Sequence, residues 1–230
     1  MKSMHTTVVL AMSADGKIAD RVRSPARFPS ACDQAHLEAQ VAAMDAVLLG
    51  AGTLRAYGTS LPITSPQLLQ QRQQHNQPPQ PVHIVCSGSG QLDPQWRFFQ
   101  QSLPRWLLTT PVGASCWGQR PGFAQQIVVP TESIDWAIAF EQLQQRGIEK
   151  LGILGGGRLV ASLLQGGCID ELKLTVCPIL LGGRSAPTPI EGTGFLADLA
   201  PRLALISCRP VADEIFLHYR VKISPQPAKN

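Results

Sequence analysis

The sequence predicts an α/β fold: a mostly parallel sheet covered by helices on both faces, with an antiparallel hairpin at the C-terminal edge. Three observations carry this. Short, continuous apolar runs recur along the chain, and such runs suit strands buried on both faces. Helical segments separate several of them, which is the order of crossover connections in a parallel sheet. The last two extended segments have only a short turn between them, which suits a hairpin.

In order, Thr6 to Met12 (TTVVLAM) reads as a buried strand. A helix follows over Cys32 to Met44, with Ser30 placed to cap its start. Asp45 to Gly50 (DAVLLG) is a second strand. PVHIVCS, RWLLTT and QIVVP are three more, each bounded by Pro, Gly or polar residues. Ser133 to Gly147 is amphipathic, with Ile134, Ala137, Ile138, Phe140 and Leu143 giving an apolar face and Gly147 a stop. KLGIL is a strand, RLVASLLQGG a helix and DELKLTVCPILL a long strand. LALISCRP and EIFLHYRVK form the closing hairpin. Two stretches interrupt the pattern. The Gln- and Pro-rich Ser65 to Pro81 is expected to be a surface loop with a short helix, and GQRPGFAQQ a second loop. Residues 1–223 are expected to form one domain, and 224–230 a disordered tail.

Of the 230 residues, 44% are hydrophobic and 16% charged, which suits one sizeable globular core. The net charge of +4 is spread along the chain. No basic stripe points to nucleic acid. No apolar stretch reaches the length of a membrane span, and the N-terminus lacks a signal peptide's apolar core. A cytoplasmic protein is expected. The six cysteines form no C-x-x-C pair, so they read as reduced thiols. The H-x-E of His36 to Glu38 has no P-C-x-x-C to complete a zinc site, and no metal is expected.

Three glycine-containing turns follow strands: SADGKIAD, LLGAGTLRAYG and LGILGGGRL. In an open α/β sheet all three should lie at the carboxyl edge, where ligands gather. A glycine turn entering a helix offers backbone N–H groups and the positive helix end, which suit a phosphate. Neither G-A-G-T nor G-G-G-R is a P-loop, and the first strand is not followed by G-x-G-x-x-G.

Four segments in order carry a family resemblance: Ser13 to Asp20, Asp45 to Leu54, Val82 to Pro94, and Ile153 to Gly183. The chain resembles the C-terminal reductase domain of the bifunctional riboflavin-biosynthesis deaminase/reductase, which is similar in fold to dihydrofolate reductase. The resemblance implies a dihydrofolate reductase-like three-layer α/β/α fold, a homodimer, and an NADPH-dependent reductase acting on a phosphorylated pyrimidine. It places Gly50, Gly52, Thr53 and Leu54 at the cofactor phosphates and nicotinamide side. It places Gly155, Gly156, Gly157, Arg158 and Leu159 at the pyrophosphate, and Ala11 and Ser13 by the nicotinamide. Ser87, Gly88 and Ser89 fall where such enzymes hold the ribose and its 2′-phosphate.

On the substrate side the pattern departs from the family. Tyr57, Gly58 and Thr59 stand where the family has D-D-P, leaving only Leu61 of that segment. Val41 replaces an arginine on the first helix, and Leu154 a glutamate before the glycine turn. Losing charge-assisted partners worth about 1.5–3 kcal/mol each weakens a sugar phosphate's grip. The loop carrying Lys17, Arg21, Arg23 and Arg27 is the candidate replacement clamp, and Asp15 is the one carboxylate at that edge, able to polarise substrate or to hold its own turn. The implied reaction is hydride transfer to C1 of a ring-opened ribosylamine, giving a ribitylamine. The departures leave two rivals: a sibling NADPH reductase with another heterocycle, and a non-catalytic NADPH-binding protein.

Overall fold

In the computed structural model, which describes residues 4–26 and 28–222, the polypeptide forms a nine-stranded sheet with helices packed against it. Arg27 of the candidate clamp and the expected tail at 224–230 lie outside the described residues. The elements are β1 (His5–Ser13), α1 (Ala31–Ala42), β2 (Ala46–Gly50), α2 (Ala51–Tyr57), α3 (Pro66–Gln74), β3 (Val82–Cys86), β4 (Arg105–Thr109), α4 (Pro111–Trp117), β5 (Gln125–Val128), α5 (Trp136–Gln144), β6 (Lys150–Ile153), α6 (Gly157–Gln165), β7 (Glu171–Cys177), β8 (Arg202–Val211) and β9 (Glu214–Lys222).

The strand order is β5-β4-β3-β2-β6-β1-β7-β9-β8. All pairings from β5 to β7 are parallel, and β9 alone runs against its neighbours. The expected mostly parallel sheet with an antiparallel edge is therefore present. Its central strands read as continuous apolar runs because both faces are covered. Ala46 to Leu49 are all buried, as are Ile84, Val85, Leu107, Leu108, Leu151 and Ile153.

The order also dictates where a ligand can sit. The chain leaves β1 for β2, walks outward to β5, and returns to place β6 between β2 and β1. Connections diverge from this point, opening a crevice at the carboxyl ends of β1, β2 and β6. The three glycine turns end these three strands.

Two connections differ from the expectation. The Gln/Pro-rich stretch holds α3, but it is not merely surface: Arg72 is 2% exposed. Its guanidinium donates to the carbonyls of Ala42, Met44 and Pro78, satisfying acceptors left open where α1 ends. The helix α4 was absent from the sequence expectation. Thr110 caps it, accepting from the Gly113 amide, and Pro111 occupies its first turn. Ser30 caps α1 as expected, its hydroxyl accepting from the amides of Cys32 and Asp33.

All six cysteines are free thiols. Cys86 and Cys177 pack within the sheet, and burial pushes both up to about 12. Cys32, Cys116 and Cys208 are exposed rather than packed. No helix among the described residues is long and apolar enough to cross a membrane.

Candidate active site

Two neighbouring cavities open at the predicted crevice. The larger, about 850 Å³, runs past Gly50, Gly52 and Thr53 of the α2 turn and Gly156, Gly157, Arg158 and Leu159 of the α6 turn. The smaller, about 450 Å³, is walled by Val9, Leu10 and Ala11 of β1, Asp33 and Leu37 of α1, and Leu154 and Gly155. They share Ile18, Ala26, Thr53, Tyr57 and Gly156. A ligand in one therefore faces a ligand in the other across Thr53 and Gly156. Both volumes lie in the range of small-molecule sites.

The walls of the large cleft suit an anionic, extended ligand. Both α2 and α6 start at a glycine with no side-chain cap, so their first amides are not occupied by a capping side chain. Uncapped amides and the positive end of α6 favour phosphate oxygens. Arg23, Arg55 and Arg158 line the cleft, with Glu191 as its one acid. Glu191 pairs with Arg23 at 2.9 Å. Trp136 donates its indole N–H to Ser162 at 2.7 Å, holding the far wall.

Some expected site residues face the two cavities and others do not. Ala11, Gly50, Gly52, Thr53, Gly155, Gly156, Gly157, Arg158, Leu159 and Leu154 line one or the other. Leu54 is fully buried and packs with Phe98 and Trp117, away from both cavities. Leu61 packs with Val41 and Ile63 under α1. The Ser87 hydroxyl accepts from the Gly90 amide and its carbonyl from Thr109, so Ser87 holds its own turn. Gly88 and Ser89 are exposed beside it, outside both cavities.

Asp15 and its neighbours hold the turn after β1. Ser13 is buried and donates to Asp15 at 2.6 Å, while the Asp15 carboxylate accepts from the amides of Leu181 and Gly182. The Ser13 hydroxyl, followed by the Leu181 and Gly182 amides, holds that carboxyl down at about 2. Asp15 thus ties β1 to the loop after β7, the turn role rather than the substrate role. Lys17 reaches the Ala186 carbonyl at 3.5 Å, outside both cavities. Of the candidate clamp, Arg23 is the arginine that lines the cleft.

Three wall residues gave no functional signal in the sequence. Asp33 sits in the first turn of α1, where an acid is ordinary. Ile18 and Pro187 come from loops that meet only in the tertiary structure, through the Ile18 amide and the Pro187 carbonyl at 2.9 Å. Tyr57 was visible as a departure, and it lines both cavities. Its hydroxyl accepts from the Ala26 amide at 2.9 Å, tying the basic loop to α2. Among the described residues no group of three or more His, Cys, Asp or Glu is placed to hold a metal ion. Glu38 of the H-x-E segment instead accepts from the amides of Thr64 and Ser65.

A family model for the RibD C-terminal domain matches residues 4–217. The chain belongs to the RibD C-terminal domain family. This RibD-family chain is 29% identical over 227 residues to the 2,5-diamino-6-ribosylamino-4(3H)-pyrimidinone 5′-phosphate reductase of Methanothermobacter thermautotrophicus, covering 95% of this chain and 100% of that protein. It is 27% identical over 193 residues to the reductase of the same name from Archaeoglobus fulgidus, covering 84% and 88%. It is 28% identical over 197 residues to the riboflavin biosynthesis protein RibD of Bacillus amyloliquefaciens, covering 83% of this chain and 50% of that protein. Among solved structures, a pyrimidine reductase-like protein from Corynebacterium diphtheriae superposes with a TM-score of 0.78 at 22% identity, covering 96% and 93%. A dihydrofolate reductase from Enterococcus faecalis does so at 0.51 and 12%, covering 94% and 96%. The fold is thus dihydrofolate reductase-like. The RibD-family relatives are riboflavin-pathway oxidoreductases, and a nicotinamide cofactor goes with that chemistry.

The cleft of this RibD-family chain fits such a cofactor. Gly52 leaves the backbone open there. A Cβ built there meets nothing within 4 Å, and the backbone needs no positive φ. Nothing in the fold requires glycine at this position, and the residue lines the large cleft. A missing side chain with no packing reason leaves the space for a ligand that approaches the backbone.

Proposed function

We propose that this chain is an NADPH-dependent reductase of a ribosylaminopyrimidine 5′-phosphate, reducing C1 of the ribosylamine to give a ribitylamine. The observation that carries the reading is the pair of cavities meeting at Thr53 and Gly156: a long arginine-lined cleft beside a smaller, mostly apolar one. The full-length match to reductases named for such a substrate supports it.

A bound reduced nicotinamide supplies the hydride. The protein's residues bind, orient and exclude water. The α6 amides from Gly157 onward and Arg158 are assigned to the cofactor phosphates, and Gly50, Gly52 and Thr53 to its approach along α2. Ala11, Leu10 and Leu154 provide the apolar floor on which a heterocycle lies. Arg23 and Arg55 are the residues in reach of a sugar phosphate at the cleft. Tyr57, tethered to Ala26, screens the junction from solvent.

The decisive assay follows oxidation of NADPH and of NADH with 2,5-diamino-6-ribosylamino-4(3H)-pyrimidinone 5′-phosphate and with its uracil counterpart, alongside complementation of a riboflavin auxotroph. Turnover of either pyrimidine with NADPH supports the reading. Binding of neither dinucleotide overturns it. A second reading, a sibling reductase with another heterocycle, is favoured by Leu154 and Tyr57, which present apolar and aromatic surface where the family carries acids. Cofactor binding without turnover of either pyrimidine selects that reading.

We also propose a homodimer. Strand β8 is exposed along nearly its whole length, with Leu203, Leu205 and Ile206 uncovered and Leu196 and Leu199 just before it. An apolar edge strand of this length invites pairing with a second copy. Light scattering at micromolar concentration should give twice the chain mass, and a monomer would refute it.

A further inference from the structure

Three arginines and a single acid, Glu191, line the large cleft, and an acid is out of place where an anionic ligand lies. The fold nonetheless builds it in. The Glu191 amide donates to the Gly157 carbonyl at 3.1 Å, and its Cγ lies 2.9 Å from where a Cβ on Gly157 would stand. The missing side chain of Gly157 thus seats Glu191 on the first residue of α6. From the other side the Arg23 guanidinium donates to Oε1 of the carboxylate at 2.9 Å. Arg23 is itself held by a turn. Its φ is +60°, uncommon for a residue with a side chain, and the Asp20 carboxylate accepts from the Val22 and Ser24 amides on either side, both at 3.0 Å. Among the described residues no donor meets the second oxygen of Glu191, Oε2.

The position of Glu191 along the cleft decides which part of a dinucleotide it meets. Hydride transfer requires the nicotinamide ring to stand where the two cavities join, at Ile18, Ala26, Thr53, Tyr57 and Gly156. Glu191 lies at this end. The Ile18 amide donates to the Pro187 carbonyl at 2.9 Å, fastening the loop that carries Glu191 beside the junction, and Arg23 is three residues from Ala26. Cys86 marks the opposite end, because its strand β3 is separated from β1 and β7 by β2 and β6. A dinucleotide with its ring at the junction and its pyrophosphate at the start of α6 sets the ribose between them beside Glu191.

We propose that Glu191 accepts the vicinal 2′- and 3′-hydroxyls of the cofactor's nicotinamide ribose, with Arg23 holding the carboxylate in place. This rests on the reductase reading and adds to it a residue that fixes which way the dinucleotide lies. A carboxylate only accepts, and a ribose presents two O–H donors side by side without a charge for the acid to repel. Hydrogen bonds from hydroxyls to an ionised acceptor are short and about twice as strong as neutral ones. Dinucleotide sites on α/β sheets commonly use an acid on a ribose hydroxyl in this way. Arg23 offsets the negative charge that would otherwise act on the pyrophosphate one group away. With the ribose held, the ring cannot slide along the cleft away from the junction.

The test titrates NADPH, and an analogue whose nicotinamide ribose is 2′,3′-dideoxy, into the wild type, Glu191→Gln and Glu191→Asp by fluorescence. The wild type should bind NADPH about tenfold tighter than the analogue, the loss expected for charge-assisted bonds. Glutamine keeps the shape and loses the charge, so Glu191→Gln should bind NADPH about fivefold more weakly and lose most of the preference over the analogue. Glu191→Asp keeps the charge and should retain more of that preference than Glu191→Gln. Adenosine 2′,5′-bisphosphate, which lacks the nicotinamide ribose, should bind Glu191→Gln no more weakly than the wild type, and an unchanged ligand-free melting temperature verifies the fold. A wild type that binds the analogue as tightly as NADPH overturns the proposal without any variant. So does tighter NADPH binding by Glu191→Gln, which would make Glu191 an anion competing with the phosphates. If neither pyrimidine is turned over but the preference for NADPH over the analogue still depends on Glu191, the reductase reading fails and the ribose role stands. If a pyrimidine is turned over while Glu191→Gln keeps the wild-type preference, the reductase reading stands and the ribose role falls.

Discussion

The two glycine turns that frame the large cleft look alike in sequence but answer to different constraints. At the α6 turn the fold itself demands glycine. A Cβ on Gly157 would collide with the Thr188 carbonyl and come within 2.9 Å of the Glu191 side chain. Gly155 has φ +95°, and its Cβ would lie 2.9 Å from Leu10. At the α2 turn neither pressure exists: Gly50 makes ordinary contacts and Gly52 faces open space. A glycine cluster is therefore not one signal. One turn is glycine-rich so that a loop and a strand can pack on it, while the other carries a glycine that no contact requires.

The sharpest way to break this comparison is Gly157→Ala. Its Cβ meets backbone, which cannot rotate away, so stability should fall by about 2–3 kcal/mol. Thermal melting should show a drop of roughly 4–12 °C for a chain of this size. A melting point within a degree of wild type would dissolve the contrast. Gly52→Ala should do the opposite. Near the start of α2 it keeps or slightly raises stability, by up to about 0.5 kcal/mol. Its NADPH affinity should fall at least tenfold, about 1.4 kcal/mol, by fluorescence titration. Unchanged affinity would return Gly52 to being a neutral turn residue.

The comparison should be run at or above pH 6.5, because a third region sets the acid stability. His83 on β3 is fully buried, with Nδ1 2.7 Å from the Ser60 hydroxyl and Nε2 without a partner. Burial, then the Arg105 charge, pushes it down to about 4. Its native value lies below the unfolded value of about 6.5, so the unfolded chain binds the proton first. Stability is whole above pH 6.5 and is lost as pH falls toward 4, by up to about 3 kcal/mol. Urea midpoints across that window should fall, and His83→Gln should flatten the slope. The smallest effect is expected at Arg158→Ala, which should weaken NADPH and NADH alike by a few-fold, about 0.5–1 kcal/mol.

Much of this was legible in sequence. The apolar runs from Thr6, Asp45, Pro81, Arg105 and Lys150 all became strands, because an element buried on both faces is mostly apolar. The glycine turns were read from the residues, and the family resemblance supplied their assignment to parts of a cofactor. Leu54 and Ser87 do not line either cavity, since segment matching does not say which side of a helix or turn faces a cleft. Helix α4 was missed although Thr110 and Pro111 are ordinary start signals, because its GASCW body has no apolar period to follow. Arg72 was hidden in a polar tract, where nothing local announces that a charged side chain will be buried.

The sequence by itself determined the sheet, the strand-turn-helix order and the family, because these follow from local patterning and ordered motifs. Only the tertiary structure decided what individual polar groups do. Asp15 and Asp33 are both acids near turns. One accepts from the Leu181 and Gly182 amides, while the other lines a cavity and leaves the Ser30 amide to Glu214, 184 residues from Ser30 in the chain. A side chain's role depends on which donors remain unclaimed around it, and those donors arrive from strands and loops far away in sequence.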